Sequence, residues 1–354
     1  MNDDKKFEDD KELDDLFDPS KNTKLKKAVK KAKRHTILRN AGISLLVLVA
    51  LFVGGTIANR SLVYKLEGPV QMAVSDFNQI SAPNRYIGKL ERFHGFLGGK
   101  NTLSTFKILD GKVVYTGQSE YGYGLFQDEY AGWIGTETPM ILGRSYDTED
   151  LAIQKYNELG QREMIFFYPY VDYPQYKNDL QQLDQLEPNK VMEVALSFDQ
   201  AYSMNQVNKM LPDNVTLTWF WIDDLNEEEK KASQSREVEQ TDENGKQTTV
   251  STPPLLRSEY TAYGIKAINE NNEKIEDPLE PFVWALESGM KYNTRYKGEF
   301  ERVYNNLLGS DSELTKDDIR VFGAVVTGDA ESLKDLQELP FIKSSSIGVV
   351  TEKF

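Results

Sequence analysis

The chain has no cysteine and only two histidines, His35 and His94. The first absence removes thiol nucleophiles, thiolate metal ligands and disulfide cross-links together. The second excludes a His-rich zinc site. A 354-residue chain without disulfides is held by its apolar core, which this length can supply. Base is also scarce over most of the chain: after residue 39 there are 47 Asp and Glu against 30 Lys and Arg. Such a surface has little with which to neutralise phosphates, so no direct nucleic-acid partner is expected. Its simplest meaning is an acidic, soluble surface that resists aggregation. Catalytic patterns are missing as well. His94, in Arg92-Phe-His-Gly-Phe96, has no second histidine or cysteine to support it. Asp223 and Asp224 are adjacent at a strand end, so their side chains point apart. The glycine pairs Gly98-Gly99 and Gly122-Tyr-Gly124 lack the strand–turn–helix setting of a phosphate loop. No catalytic residue, cofactor or metal site is expected, and the chain does not read as an enzyme.

What the sequence does have is one long apolar run. Residues 41–58 (AGISLLVLVALFVGGTIA) carry no charge, and residues 21–39 before them hold nine Lys or Arg and no acid. Eighteen helical residues nearly span the roughly 30 Å hydrocarbon core of a bilayer. Flanking Lys and Arg stay on the cytoplasmic side. The expectation is a single-pass protein of the cell membrane: a cytoplasmic tail over 1–38, a transmembrane helix over 39–58 and an extracellular C-terminal domain. A cleaved signal peptide reads similarly, but its basic region is short and its site is A-x-A-like. Here the run is preceded by a long tail, and Thr56-Ile57-Ala58 is a poor cleavage site, which favours a retained anchor.

The tail divides by charge. Residues 1–20 hold nine acids against three bases, with Leu13, Leu16 and Phe17 spaced to share one face of a helical turn. These three are the candidate contacts for a cytoplasmic partner, a peptide that orders on binding; the alternative is a disordered tail. Residues 21–39 read as a basic amphipathic helix against anionic lipid, making the bilayer itself a partner.

Beyond the span, residues 62–80 suggest a juxtamembrane helix. A β-rich part over 60–190 follows, with an antiparallel meander whose hairpin is marked by Asp110-Gly111. Asp147 or Thr148 should start a helix through Leu159, residues 163–171 (EMIFFYPYV) a buried strand, and Pro174 to Leu186 another helix. Strands are expected over 191–198, 215–222 and 259–268, a Ser203-capped helix over 203–211, and a helical region over 278–308. Residues 224–258, charged and poor in apolar side chains, read as a long mobile loop. Residues 195–204 align without gaps onto 324–333, and both stretches continue as a helix ending in Leu-Pro before a strand. The fold class is therefore α+β, its C-terminal part (191–354) a duplicated βαβ, ferredoxin-like sandwich. Tyr115, Tyr121, Tyr123, Phe126, Tyr130 and Trp133 cluster within twenty residues. They fill a core or stack on an envelope ligand, with Tyr121 and Tyr123 the candidate contacts.

Two stretches resemble a known family. Residues 17–40 (FDPSKNTKLKKAVKKAKRHTILRN) and the span resemble the N-terminal module of the sigma factor regulator family of Gram-positive bacteria. Residues 193–222 and 320–351, with Tyr263-Gly264-Ile265-Lys266, resemble its C-terminal module. The carrying residues are Ser203-x-x-x-Val207-x-x-x-Leu211-Pro212-x-x-Val215, Trp219-x-Trp221, Gly323-Ala-Val-Val-Thr-Gly328 and Ile342-Lys343-Ser-Ser-Ser-Ile347-Gly348. The resemblance implies a membrane-bound anti-sigma factor that holds an extracytoplasmic-function sigma factor until an envelope signal releases it. It departs from anti-sigma proteins with a helical, zinc-binding sigma-contacting domain. With under forty residues before the span and no cysteine, any contact with a sigma factor or companion membrane protein falls to the Leu13–Phe17 peptide and the basic helix. The other reading is a membrane-anchored, non-catalytic scaffold that binds the envelope through the aromatic meander.

Overall fold

In the computed structural model the basic stretch, the apolar run and the juxtamembrane segment form one helix, α1, Thr23–Ile80. The structure describes residues 23–125, 156–187, 189–234, 236–241, 247–252, 254–309 and 312–353. The peptide with Leu13, Leu16 and Phe17 lies outside the described residues. So do Phe126, Tyr130, Trp133 and residues 147–155 of the expected helix. The chain forms two units, Met1–Leu62 and Val63–Phe354. In the first, α1 exposes its apolar side chains: Leu46 is 71 % and Phe52 73 % exposed. This helix is long and apolar enough to cross a membrane, and no residue of its most apolar stretch is buried.

In the second unit the last turns of α1 bury Val63, Ala73, Val74, Phe77 and Ile80. Strands β1 (Arg85–His94), β2 (Gly98–Leu109) and β3 (Lys112–Gly124) follow as an antiparallel meander. Asp110 and Gly111 turn β2 into β3 with φ of 49° and 79°, the left-handed pair such a two-residue turn requires.

Next come β4 (Ile165–Phe166), β5 (Lys190–Tyr202), α2 (Met204–Met210), β6 (Thr216–Ile222), α3 (Glu227–Ser233), β7 (Arg236–Thr241), β8 (Gln247–Thr252), β9 (Arg257–Ser258) and β10 (Gly264–Lys266). The chain finishes with α4 (Leu279–Lys291), α5 (Lys297–Leu308), β11 (Val321–Asp329), α6 (Ala330–Lys334) and β12 (Ile342–Glu352). The main sheet has the order β10-β6-β11-β5-β12, every neighbouring pair antiparallel. Hence β5 and β6, joined by α2, run the same way with β11 between them. Likewise β11 and β12, joined by α6, flank β5. Two strand–helix–strand units thus interleave in one α+β layer structure, with β10 added at an edge. That their likeness reflects duplication stays a reading of the sequence.

Alternation along the strands fills both faces of this sheet. Met192, Val194, Leu196, Phe220, Ile222, Ala324 and Val326 face the helices, with Val207, Phe282, Phe300 and Leu333. Ala195, Trp219, Trp221 and Val325 pack against the aromatic segment Met164 to Tyr173.

Four expectations are corrected. The aromatic segment is buried but pairs as a strand only at Ile165–Phe166; Pro169 and Pro174 have no N–H for a ladder. Residues 156–160, expected to end a helix, form a turn around Asn157, whose carboxamide oxygen accepts from the backbone N–H groups of Leu159 and Gln161. The helix expected between Pro174 and Leu186 is confined to Asp179–Gln185 and is a 3₁₀ helix. Its opening is held from outside: the Leu180 N–H donates to Ser345 Oγ, and Asp179 accepts from the Ile347 N–H. The expected loop 224–258 holds α3 and the β7–β8 hairpin. Asn226 and Glu229 close a capping box on α3. Arg302 ties the segment down, reaching Asp224 Oδ2 at 2.8 Å and Glu229 at 3.3 Å.

Candidate functional site

Between Arg39 and Ser75 the only acidic residue is Glu67, and it is 3 % exposed. It lies on the buried end of α1 and faces one row of the meander. Arg92 and His94 are two apart on β1, so both point to one side. Asn101 pairs with Arg92 across β1–β2, and Tyr121 with Asn101 across β2–β3. Arg92 Nε and Asn101 Nδ2 each donate to Glu67 Oε1 at 2.9 Å, and His94 Nε2 is 3.1 Å from Oε2. Gln71, one turn on, accepts from Arg92 at 3.1 Å. Three side chains of a sheet thus converge on one helical carboxylate, and the same polar row continues from Asn101 Nδ2 to the Tyr121 hydroxyl at 3.0 Å.

Tyr121 and Tyr123 are each 1 % exposed and belong to the main core. Neither ring is open to a ligand from solvent. Tyr123 stands edge-on to His94, and His94 edge-on to Tyr64 of α1, with centroids 6.4 and 5.0 Å apart. A side chain at Gly99 would run into the Tyr123 ring, which is why glycine sits there. Burial pushes the Tyr123 hydroxyl up to about 12, with the Glu67 charge adding to the effect. It therefore stays protonated at neutral pH.

A second buried polar group fixes the meander to the main sheet. Lys107 of β2, 1 % exposed, meets Glu193 of β5 at 2.6 Å and Glu259 at 3.0 Å. Arg85 reaches Glu259 at 3.4 Å, so two cations face two carboxylates. Burial disfavours the Lys107 ammonium, but Glu193 and Glu259 together outweigh that and raise its pKa. The carboxylates also accept backbone N–H groups, Val349 on Glu193 and Met164 on Glu259, and Asn84 donates to Glu193 at 3.3 Å. Asp223 and Asp224 have separate partners, Lys230 at 2.8 Å and Arg302 at 2.8 Å. Among the described residues no three His, Asp or Glu side chains group so as to hold a metal ion. The arrangement binds helix to sheet and sheet to sheet; it offers a mechanical connection, with no activated nucleophile.

Sequence reasoning missed both polar groups. Glu67 had a signal, as the lone acid over more than thirty residues facing an Arg-x-His strand. Lys107, Glu193 and Glu259 had none, because isolated charges in strands read as a solvated face.

The family model described as sigma factor regulator N-terminal matches residues 26–114, and that described as sigma factor regulator C-terminal matches residues 183–349. The two together account for well over half of the chain. This chain belongs to the sigma factor regulator family. The N-terminal match takes in α1 and the meander through β3's start, so Glu67, Arg92, His94, Asn101 and Lys107 all lie within it. The C-terminal match takes in the main sheet, including Glu193 and Glu259. Membership gives the chain a role in regulating a sigma factor, and families of this kind are regulatory rather than catalytic. No curated protein and no solved structure matches the chain.

Proposed function

We propose that this sigma factor regulator is a single-pass membrane protein that restrains an extracytoplasmic-function sigma factor in response to an envelope signal. Its basic flank faces the cytoplasm and Val63–Phe354 lies outside. The nine Lys and Arg of residues 21–39 support that direction. The observation that carries the reading is the match of both regulator modules to a chain whose long helix holds the apolar run. Within the outer domain the helix is gripped at Glu67, so a ligand or partner that shifts the meander moves the helix end with it. The sigma factor, or a companion membrane protein, meets the tail through Leu13, Leu16 and Phe17.

The test is co-purification. Full-length chain solubilised from membranes should bring down a sigma factor or a companion membrane protein. The variant with Leu13, Leu16 and Phe17 all changed to Ala should lose it while staying in the membrane. Equal recovery by both forms would overturn the role of the tail, and no recovery by the intact chain would overturn the partner itself.

A further inference from the structure

The end of β1 and the turn after it carry two exposed aromatic side chains that neither the core nor the Glu67 group uses. Phe96 is 84 % and Phe93 58 % exposed. The turn is rigidly built for its size: the Gly95 N–H donates to the Gly98 carbonyl at 2.8 Å, the Leu125 N–H to the Leu97 carbonyl at 3.0 Å, and Leu97 takes a φ of 56°. With Leu125, 54 % exposed and hydrogen-bonded to Leu97, the two rings put three large apolar side chains at one end of the meander, where soluble surfaces keep such groups scattered. The same turn rests against α1, where His94 meets the Tyr64 ring at 5.0 Å, and Tyr64 is itself 47 % exposed.

Chain length says what the partner is. Tyr64 lies six residues past Ala58, where the apolar run ends. Six residues reach at most ~20 Å even when fully extended. A bilayer that holds the run must therefore present its interface near Tyr64 and the turn beside it. Aromatic rings are favoured at that depth, where an apolar body meets polar headgroups. We infer that the Phe93–Phe96 turn is a second membrane contact, seated in the headgroup region of the leaflet from which α1 emerges. The contact would hold at the lipid surface the strand end that carries Arg92 and His94, so the state of the membrane bears on the grip at Glu67. This inference rests on the membrane-anchored reading proposed above.

The absence of cysteine allows a clean experiment on the full chain in liposomes containing anionic lipid. Phe96→Cys, Leu48→Cys and Val113→Cys are each labelled with an environment-sensitive fluorophore, and quenching is read from nitroxides at the headgroup or deep in the acyl chain. Val113 is a matched control, 62 % exposed but at the far end of the β2–β3 hairpin, ~35 Å along the strand from the turn. The Phe96 probe should emit at shorter wavelength and lose most of its signal to the headgroup quencher. The Val113 probe should behave as in water and the Leu48 probe should respond to the deep quencher. Quenching at Leu48 with a water-like Phe96 would overturn the turn contact and leave the anchor standing. A water-like Leu48 would overturn the anchor reading itself.

Discussion

The meander and the five-stranded sheet belong to one folded unit but are held by different physics. The sheet buries apolar side chains on both faces, against helices on one and the Met164 to Tyr173 segment on the other. Such packing is non-directional and, carrying no titrating group, changes little with pH. The meander gives the main core chiefly Leu103, Tyr121 and Tyr123 and packs Leu109 against Val191 and Val349; beside these smaller apolar contacts it is seated by the buried charges of Lys107, Glu193, Glu259 and Glu67. Buried charges add little net stability against well-packed apolar groups, yet breaking one side of such a pair is costly. The contrast separates the two regions: the sheet is the support, and the meander is docked on it with directional polar contacts as well.

The largest effect should come from Lys107→Met, which takes the cation from buried Glu193 and leaves Glu259 with Arg85 alone. The unfolding free energy measured with denaturant should fall by about 3–5 kcal/mol; a loss below about 1 kcal/mol would mean that the meander is seated by apolar contact after all. Next is a dependence on pH. Lys266 of β10 donates to Asn78 of α1 and to the Arg85 carbonyl, and burial lowers its pKa to about 7. The unfolded chain keeps this proton up to the ordinary lysine range. It therefore binds more protons than the folded chain above pH 7, and stability rises with pH in that window. Between about pH 7 and 9.5 the wild type should gain on the order of a few kcal/mol that Lys266→Met does not. Parallel curves for the two would contradict this.

A smaller change is expected for Glu67→Gln, about 1–3 kcal/mol from weakened charge-assisted hydrogen bonds. Hydrogen exchange should speed up at the last turns of α1 and at β1, and stay unchanged in β5 and β11. Uniform acceleration would dissolve the distinction between the two regions. Smallest are the tyrosines. Tyr121→Phe removes the acceptor of Asn101 and should cost about 0.5–1.5 kcal/mol. The Tyr123 hydroxyl has no hydrogen-bond partner among the described residues, so Tyr123→Phe should be neutral in the same denaturation measurement.

The difference between the regions also governs how much could be read from residues alone. Local signals held: the uncharged run at 41–58, the Asp110-Gly111 turn, and Ser203, whose side chain and that of Gln206 form the capping box of α2. The β5 and β6 strands showed in their apolar patterns. Long-range polar contacts did not show. Lys107 and Glu193 are 86 positions apart, and nothing in either strand marks its charge as buried. Residues 224–258 were misread because apolar content was taken as the measure of order, while their first part is held by Asp224, Glu229 and Arg302 and carries its own capping box. For Tyr121 and Tyr123 core and ligand surface both stayed open, because aromatic composition does not tell a face from a core; both are buried.

A sigma factor regulator anchored in the membrane should change which sigma factors reach RNA polymerase. The direct measurement is the set of sigma factors bound to RNA polymerase, quantified in cells with and without the chain. Loss of the chain should raise the polymerase-bound fraction of one sigma factor. The full-length protein should lower it again, and the form with Leu13, Leu16 and Phe17 changed to Ala should not. An unchanged distribution in all four strains would contradict the account.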